Sequence, residues 1–354
     1  MKNLLTTCVL CILFSSLGSG QTLVDKSVKL FNEGNYREAT GLLQEALRQN
    51  PKNDSAYYYL GMINMNDSYD KAIEYLKKAV ELQYGNAKYH LMLGNAYGVK
   101  AQKAGIFSKF GAAKDCLSEF ETAARVDPKY IDARRSLVEY YLQAPGIMGG
   151  SVDKAVTQSD TILMLDRYAG YLTKARISEY QKRQKDTEGD YLQAIAVDPR
   201  KTPAYRGLWW FYVSNKDEVK ADAVLARAVK AVDDKSEIYY WAGLYYVQVN
   251  NLEKAKDMFH HALKEDSTDA PVYYQLGKVA CLSGTDLQGG LASLRKYISM
   301  PLAKNSPTYD YAHWRMGMIY EKLGNKEAAK SEYRKSLQIN PDLDIAKKSL
   351  ANMK

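Results

Sequence analysis

Apolar side chains recur along this chain at the 3.6-residue period of an amphipathic helix, and polar residues fill the gaps between them. Residues 238–267, IYYWAGLYYVQVNNLEKAKDMFHHALKEDS, show the unit. Two apolar stripes flank an Asn-Asn turn, and the small residues Gly243, Ala255 and Ala262 stand inside the stripes rather than outside them. The pattern repeats without gaps at a step of 34 residues. Tyr205, Leu208, Tyr212, Ala221, Leu225 and Ala228 correspond to Tyr239, Ala242, Tyr246, Ala255, Phe259 and Ala262. A C-terminal copy reads His313, Met316, Gly317, Tyr320, Gly324, Ala329, Tyr333, Ser336 and Pro341, and half of one returns as Gly34-Asn35-Tyr36, Ala39, Leu43, Ala46 and Pro51. Helix axes come within about 8–10 Å only where small side chains meet and large ones fill the neighbouring grooves. The spacing therefore predicts pairs of antiparallel helices. Gly34-Asn35, Asn250-Asn251 and Gly324-Asn325 supply turns that tolerate left-handed backbone. Asn50-Pro51, Asp127-Pro128, Asp198-Pro199 and Asn340-Pro341 end second helices.

This set of residues and its period resemble the tetratricopeptide repeat, W-x2-L-G-x2-Y…A-x3-F…P. The resemblance implies an all-α fold: a right-handed superhelical solenoid of about nine helix-turn-helix repeats with a C-terminal capping helix. One such pair cannot bury its apolar face alone, so neighbours must stack. The expected repeats are 21–53, 54–86, 87–130, 131–167, 168–201, 202–235, 236–269, 270–309 and 310–341, with the cap at 342–354. Two depart from the period: the third carries an insert at 98–115 and the fourth one at 144–150, both expected at the turn between paired helices. The fifth, with polar residues in small slots such as Thr187, is the expected hinge. The inserts and the segment between them are similar to those of secreted bacterial proteins with these repeats.

Residues 1–20 lie outside the repeats. Met1-Lys2, an apolar run from Leu4 to Leu17 and Gly18-Ser19-Gly20 read as a secretory signal peptide, cut before Gln21. Cys8 follows Thr7 and Cys11 follows Leu10, which is not the setting of a lipidated cysteine. Beyond the leader only Cys116 and Cys281 remain, too far apart in a solenoid to be bridged, and two free, non-catalytic thiols are expected. The predicted location is the bacterial periplasm or exterior. Net charge is +8, spread along the chain, which favours acidic partners weakly and gives no patch for nucleic acid.

Catalytic motifs are missing from the sequence. His90 and His313 occupy packing slots, and the adjacent His260 and His261 diverge by about 100° on a helix, so they do not form a metal pair. No cofactor and no metal site are expected; an enzyme assembled from residues distant in sequence would carry no such motif. The predicted function is a non-enzymatic scaffold that binds a protein or peptide. The fold implied by the resemblance has a groove lined by first helices. The stripe facing it would carry Tyr58, Asn95, Arg135, Arg176, Arg206, Trp210, Tyr240, Tyr274, Lys278 and Trp314. Aromatic anchors among a few cations suit a peptide with apolar and acidic side chains, and they also suit a glycan face. A second candidate surface is the inserted edge, with Ile106, Phe107, Phe110 and Met148. That segment would meet a partner helix or a membrane surface, or fold back beneath the 144–150 loop.

Overall fold

The computed structural model describes residues 22–65, 68–103, 105–302 and 306–353. The expected leader and cleavage site lie outside these residues, as do the side chains of Ile106 and Phe107. The described residues form helices, turns and loops, with no strand among them. The chain divides into two units at Asp198–Pro199.

The first unit holds α1 (22–32), α2 (Tyr36–Gln49), α3 (Asp54–Asn64), α4 (Tyr69–Leu82) and α5 (Ala87–Lys103). It continues with α6 (Ile106–Val126), α7 (Ile131–Gln143), a 3₁₀ turn (Gly146–Met148), α8 (Val152–Leu165), α9 (Arg167–Tyr180) and α10 (Gln184–Val197). The second holds α11 (Thr202–Ser214), α12 (Glu218–Ala231), α13 (Lys235–Gln248), α14 (Leu252–Glu265) and α15 (Ala270–Ser283). It ends with α16 (Leu287–Ile298), α17 (Tyr309–Lys322), α18 (Lys326–Ile339) and α19 (Asp344–Asn352). In each unit successive helices pack on one another, so the core is a string of small clusters rather than one centre.

The small residues do what their spacing implies. A Cβ built on Gly61, Gly94, Gly243, Gly277 or Gly317 would come within 2.3–2.6 Å of Leu76, Phe120, Phe259, Leu294 or Tyr333 on the paired helix. Each glycine is thus the socket for one large side chain. Ala255 and Ala262, flanking Phe259 on α14, are fully buried.

Turn chemistry sets the helix ends. Asp217, Asn251 and Asn325 accept hydrogen bonds from the backbone N–H three residues on, at 3.1, 3.2 and 3.0 Å, and start α12, α14 and α18. The residue before each cap is left-handed: φ is +58° at Asn250 and +74° at Gly324. Lys182 and Lys216 hold the same conformation, φ +58° and +61°, at turns the sequence did not mark. Asn50, Asp127, Asp198 and Asn340 are extended ahead of their prolines, as the clash between proline Cδ and the preceding residue requires.

The insert at 98–115 corrects one expectation. It is not a loop between helices: the extra residues lengthen both partners, to 17 residues in α5 and 21 in α6. The segment is rich in alanine and lysine, both good helix formers, and its Gly105 serves as N-cap of α6. The insert at 144–150 does form a compact turn, closed by Gly149 at φ +93°.

Candidate partner-binding surfaces

The two inserts meet in the first unit. Met148, on the 3₁₀ turn, packs on Ala101, Ala112 and Ala113 at the lengthened ends of α5 and α6. The Tyr140 hydroxyl lies 2.7 Å from the Met148 carbonyl and 3.0 Å from that of Ala113, so its one proton ties the turn to α6. Burial, with the negative charge of Glu121 and the nearby Cys116, pushes this phenol up to about 12. The result is a cleft of about 750 Å³ between α5, α6, α7 and the turn. Its apolar wall comes from Val99, Ala113, Cys116, Phe120, Pro145 and Met148. Asn95, Gln102, Lys109, Arg135, Glu139 and Gln143 supply its polar rim.

The rim is held in place by ion pairs. Arg176 donates to Glu139 through Nε (3.0 Å) and Nη2 (3.3 Å), and Gln143 donates to the same carboxylate at 2.9 Å. Burial works against the Arg176 charge, but the hydrogen bond and charge of Glu139 outweigh it and hold the guanidinium more firmly protonated than usual. Arg135 is exposed and 3.6 Å from Asp132, and Lys109 has no ion-pair partner among the described residues. Among the described residues the lengthened segment from Gly98 to Asp115 carries Lys100, Lys103, Lys109 and Lys114 against one carboxylate, Asp115.

Asn95, Arg135 and Met148 thus come together around one cleft, with Arg176 bound to its rim. Tyr58 does not join them. It is 3% exposed, stacked on Tyr89 with ring centroids 4.9 Å apart, and belongs to the core. Phe110 is 42% exposed and does not line the cleft.

The remaining candidates lie in the second unit and divide by depth. Trp210 is 46% exposed and edge-on to Tyr245. Arg206 faces Glu237 across 3.6 Å on an open surface. Tyr240 is half-buried against Phe259. Tyr274 is buried at 4% exposure, and its hydroxyl accepts a hydrogen bond from Arg315 Nε at 2.8 Å. Trp314 donates to Ser349 Oγ on α19 at 3.1 Å, so the capping helix engages it. Lys278 is half-buried; burial first, then the Arg315 charge, lower its pKa. Burial therefore leaves Trp210 as the one aromatic of this set that a partner could grip without rearrangement.

The histidines form a matched pair of struts. His90 Nδ1 lies 2.6 Å from Glu119 Oε2, with Nε2 2.9 Å from the Tyr84 carbonyl. His313 Nδ1 lies 2.6 Å from Glu332 Oε2. Burial pushes the Glu332 carboxyl up, but hydrogen bonds from His313 and Lys335 overcome it and hold the group below the usual range. His261 stacks on Tyr239. The offsets, 29 residues in α5–α6 and 19 in α17–α18, differ by ten, the excess over the regular repeat that the 98–115 segment carries, which is the sequence signal that was there to find. Burial raises both thiols, that of Cys116 to about 12, so neither is a ready nucleophile. Among the described residues no cluster of His, Cys, Asp and Glu could hold a metal, and no helix is long and apolar enough to cross a membrane.

Family models described as tetratricopeptide repeats match residues 29–87, 236–269 and 311–343. The human Superkiller complex protein 3 is 21% identical over 91% of this chain, which spans 21% of that protein. The Antiviral innate immune response effector IFIT1 of Macaca fascicularis is 22% identical over 36% of the chain, which spans 30% of it. The chain therefore corresponds to less than a third of either relative. A solved tetratricopeptide repeat protein from Parabacteroides merdae aligns at 18% identity and a TM-score of 0.48, covering 74% of this chain and 98% of that one. Repeats of this kind typically build protein-interaction scaffolds, and such scaffolds are generally not enzymes. The matched segments fall in both units and coincide with stacked helix pairs: these segments of the chain are tetratricopeptide repeats.

Proposed function

We propose that this protein is a non-enzymatic scaffold of the bacterial envelope or exterior and that the cleft of the first unit holds its protein partner. The leader-like residues 1–20 support the location. The observation behind the binding proposal is the convergence of both departures from the 34-residue period on one concave, apolar-walled surface. Insertions collected on one edge of a repeat array are a common way to build a binding face. An apolar side chain on the partner would enter between Phe120 and Met148, while a neighbouring carboxylate meets Lys109 and Arg135. A cell-wall glycan is the alternative ligand, and the exposed ring of Trp210 is the observation for it.

Affinity capture from envelope extract separates the two. Arg135→Glu combined with Met148→Glu should abolish stoichiometric capture of a protein partner, while Trp210→Ala leaves it intact. Retention of purified protein on peptidoglycan or polysaccharide, lost in Trp210→Ala, would favour the glycan instead. Turnover of a substrate by the purified chain would overturn both.

A further inference from the structure

Three residues of α8 and α9 are smaller or more polar than their places in the repeat demand, and all three face one cavity. Lys174 and Ser178 stand 34 residues before Leu208 and Tyr212, both buried apolar side chains. Ser159 is the eighth residue after the N-cap Ser151. The same place after Ser68, Asn251 and Asn325 holds the fully buried Leu76, Phe259 and Tyr333. Where those pairs are filled, this one is open: a cavity of about 380 Å³ lies between α8, α9 and α10. A smaller one, about 120 Å³, opens where Ala280 replaces the same tyrosine. The missing side chain is thus the cause of the space.

The larger cavity has a mixed lining, with buried hydroxyls below and charged groups at its mouth. Its floor is Ser159 and Ser178, both buried, with Ile177 beside them. Its mouth carries Lys174, Arg183, Lys185, Asp186 and Asp190. Asp190 accepts from the Ser178 hydroxyl at 3.3 Å, Asp186 faces Arg183 at 3.2 Å, and Lys174 reaches Asp160 at 3.1 Å. The two carboxylates of the lining are therefore engaged. What is left over is donor capacity: the Ser159 hydroxyl has no hydrogen-bond partner, and Lys185 has no ion-pair partner among the described residues. A wall with three cations, two carboxylates and a spare buried hydroxyl calls for a ligand rich in acceptors.

We propose that this cavity binds a compact oxyanion, a phosphate group. Lys185 and Arg183 would receive the charge at the mouth, and the spare Ser159 hydroxyl would donate from the floor. The site is separate from the proposed partner cleft. Lys174 and Ser178 lie two residues on from Leu172 and Arg176, about 200° around α9 from the Arg176 that braces the cleft rim.

Calorimetric titration of the full chain with inorganic phosphate, and in parallel with a short phosphoserine peptide, tests the assignment. Saturable binding of either probe is expected; phosphate alone would mean a free anion, and the peptide alone would mean that the group arrives on a polypeptide. Lys185→Gln, on the surface and harmless to folding, should weaken binding about tenfold, the cost of one charged hydrogen bond. Ser178→Tyr, which restores the repeat's own residue, should raise Tm and abolish binding. Should Ser178→Tyr fail to fold, Ser159→Ala with Lys185→Gln reads the same contacts. A cavity that holds only water would saturate with neither probe, and binding indifferent to Lys185 and to the filling of the cavity would equally overturn the proposal. Neither outcome bears on the cleft.

Discussion

The α13–α14 pair and the α9–α10 pair follow one plan with different fillings. In the first, Gly243 receives the Phe259 ring, Ala255 and Ala262 flank it, and Trp241 and Ala242 complete a buried interior. In the second, Lys174 and Ser178 hold the equivalent of the Leu and Tyr slots, and Thr187 holds an alanine slot, its hydroxyl bonded back to the Arg183 carbonyl at 3.0 Å. Both still form two 14-residue helices. Helix formation therefore tolerates loss of several slots, and what changes is the interior between helices. Polar slots scattered along the chain would signal weak packing; Lys174 and Ser178, facing one cavity with Ser159 of α8, signal a shaped space.

Deleting the filling of the regular pair should hurt most. Phe259→Ala removes a fully buried ring that packs in the Gly243 socket, and a loss of about 3–5 kcal/mol is expected. Denaturant unfolding monitored within the second unit would measure it. Gly243→Leu should act from the other side, forcing a side chain into the ring at a cost of about 1–3 kcal/mol. If either change leaves the midpoint where it was, the socket does not hold the pair together.

The histidine struts offer a second contrast, through acid. Glu332 is held below its ordinary value, so the folded state gives up its proton more readily than the unfolded chain. Its contribution is fully present above the unfolded carboxylate range, near pH 4.5, and is lost as pH falls through the lower folded value. Glu332→Gln should lower stability at pH 7 by about 1.5–3 kcal/mol, the worth of charge-assisted hydrogen bonds, and flatten the acid limb of the stability curve. Equal loss at pH 3 and pH 7 would show that packing, and not the charge, is what matters there.

Much of this architecture is legible in the sequence because each repeat restates the same sterics. Gly and Ala at 34-residue steps announce close helix approach, and Asn-Asn or Gly-Asn announces a left-handed turn. Depth is less legible. An i, i+4 stripe says which side of a helix Tyr58 and Tyr274 occupy, not whether the next element covers them; Tyr89 and Arg315 do. Insert conformation is also hidden, since a broken period counts the extra residues at 98–115 without saying that α5 and α6 absorb them. The cleft rim was half visible. Arg135 and Asn95 follow from the stripe, whereas Phe120 and Tyr140 enter only because the lengthened helices and the 144–150 turn enclose them.

The crowded cations of the second unit give a smaller effect of opposite sign. Lys278 is depressed by burial and by Arg315, so in the alkaline window below pH 10.5 the unfolded chain binds more protons and stability rises with pH. Lys278→Met should therefore raise Tm slightly at pH 7 and remove that alkaline rise, with under about 1 kcal/mol at stake on a half-exposed site. A thermal series from pH 7 to 10 reads both. A Tm that falls in Lys278→Met would mean that the ammonium has a favourable partner.

The smallest expected effect concerns backbone alone, and it compares turns that share a shape. Lys216 and Gly324 both precede a helix cap with φ near +60° to +75°, yet only glycine adopts that region without a Cβ clash. Lys216→Gly removes the clash but enlarges the unfolded ensemble, and the two nearly offset, leaving a gain of about 0.5 kcal/mol. Gly324→Ala meets open space around its Cβ, so only the backbone conformation penalises it, by about 1 kcal/mol. Opposite signs for the two substitutions in urea midpoints would show that the turn shape is imposed by the helices it joins. The lysine then sits there because packing on both sides outweighs its local preference, which is why no residue at that turn marked it in the sequence.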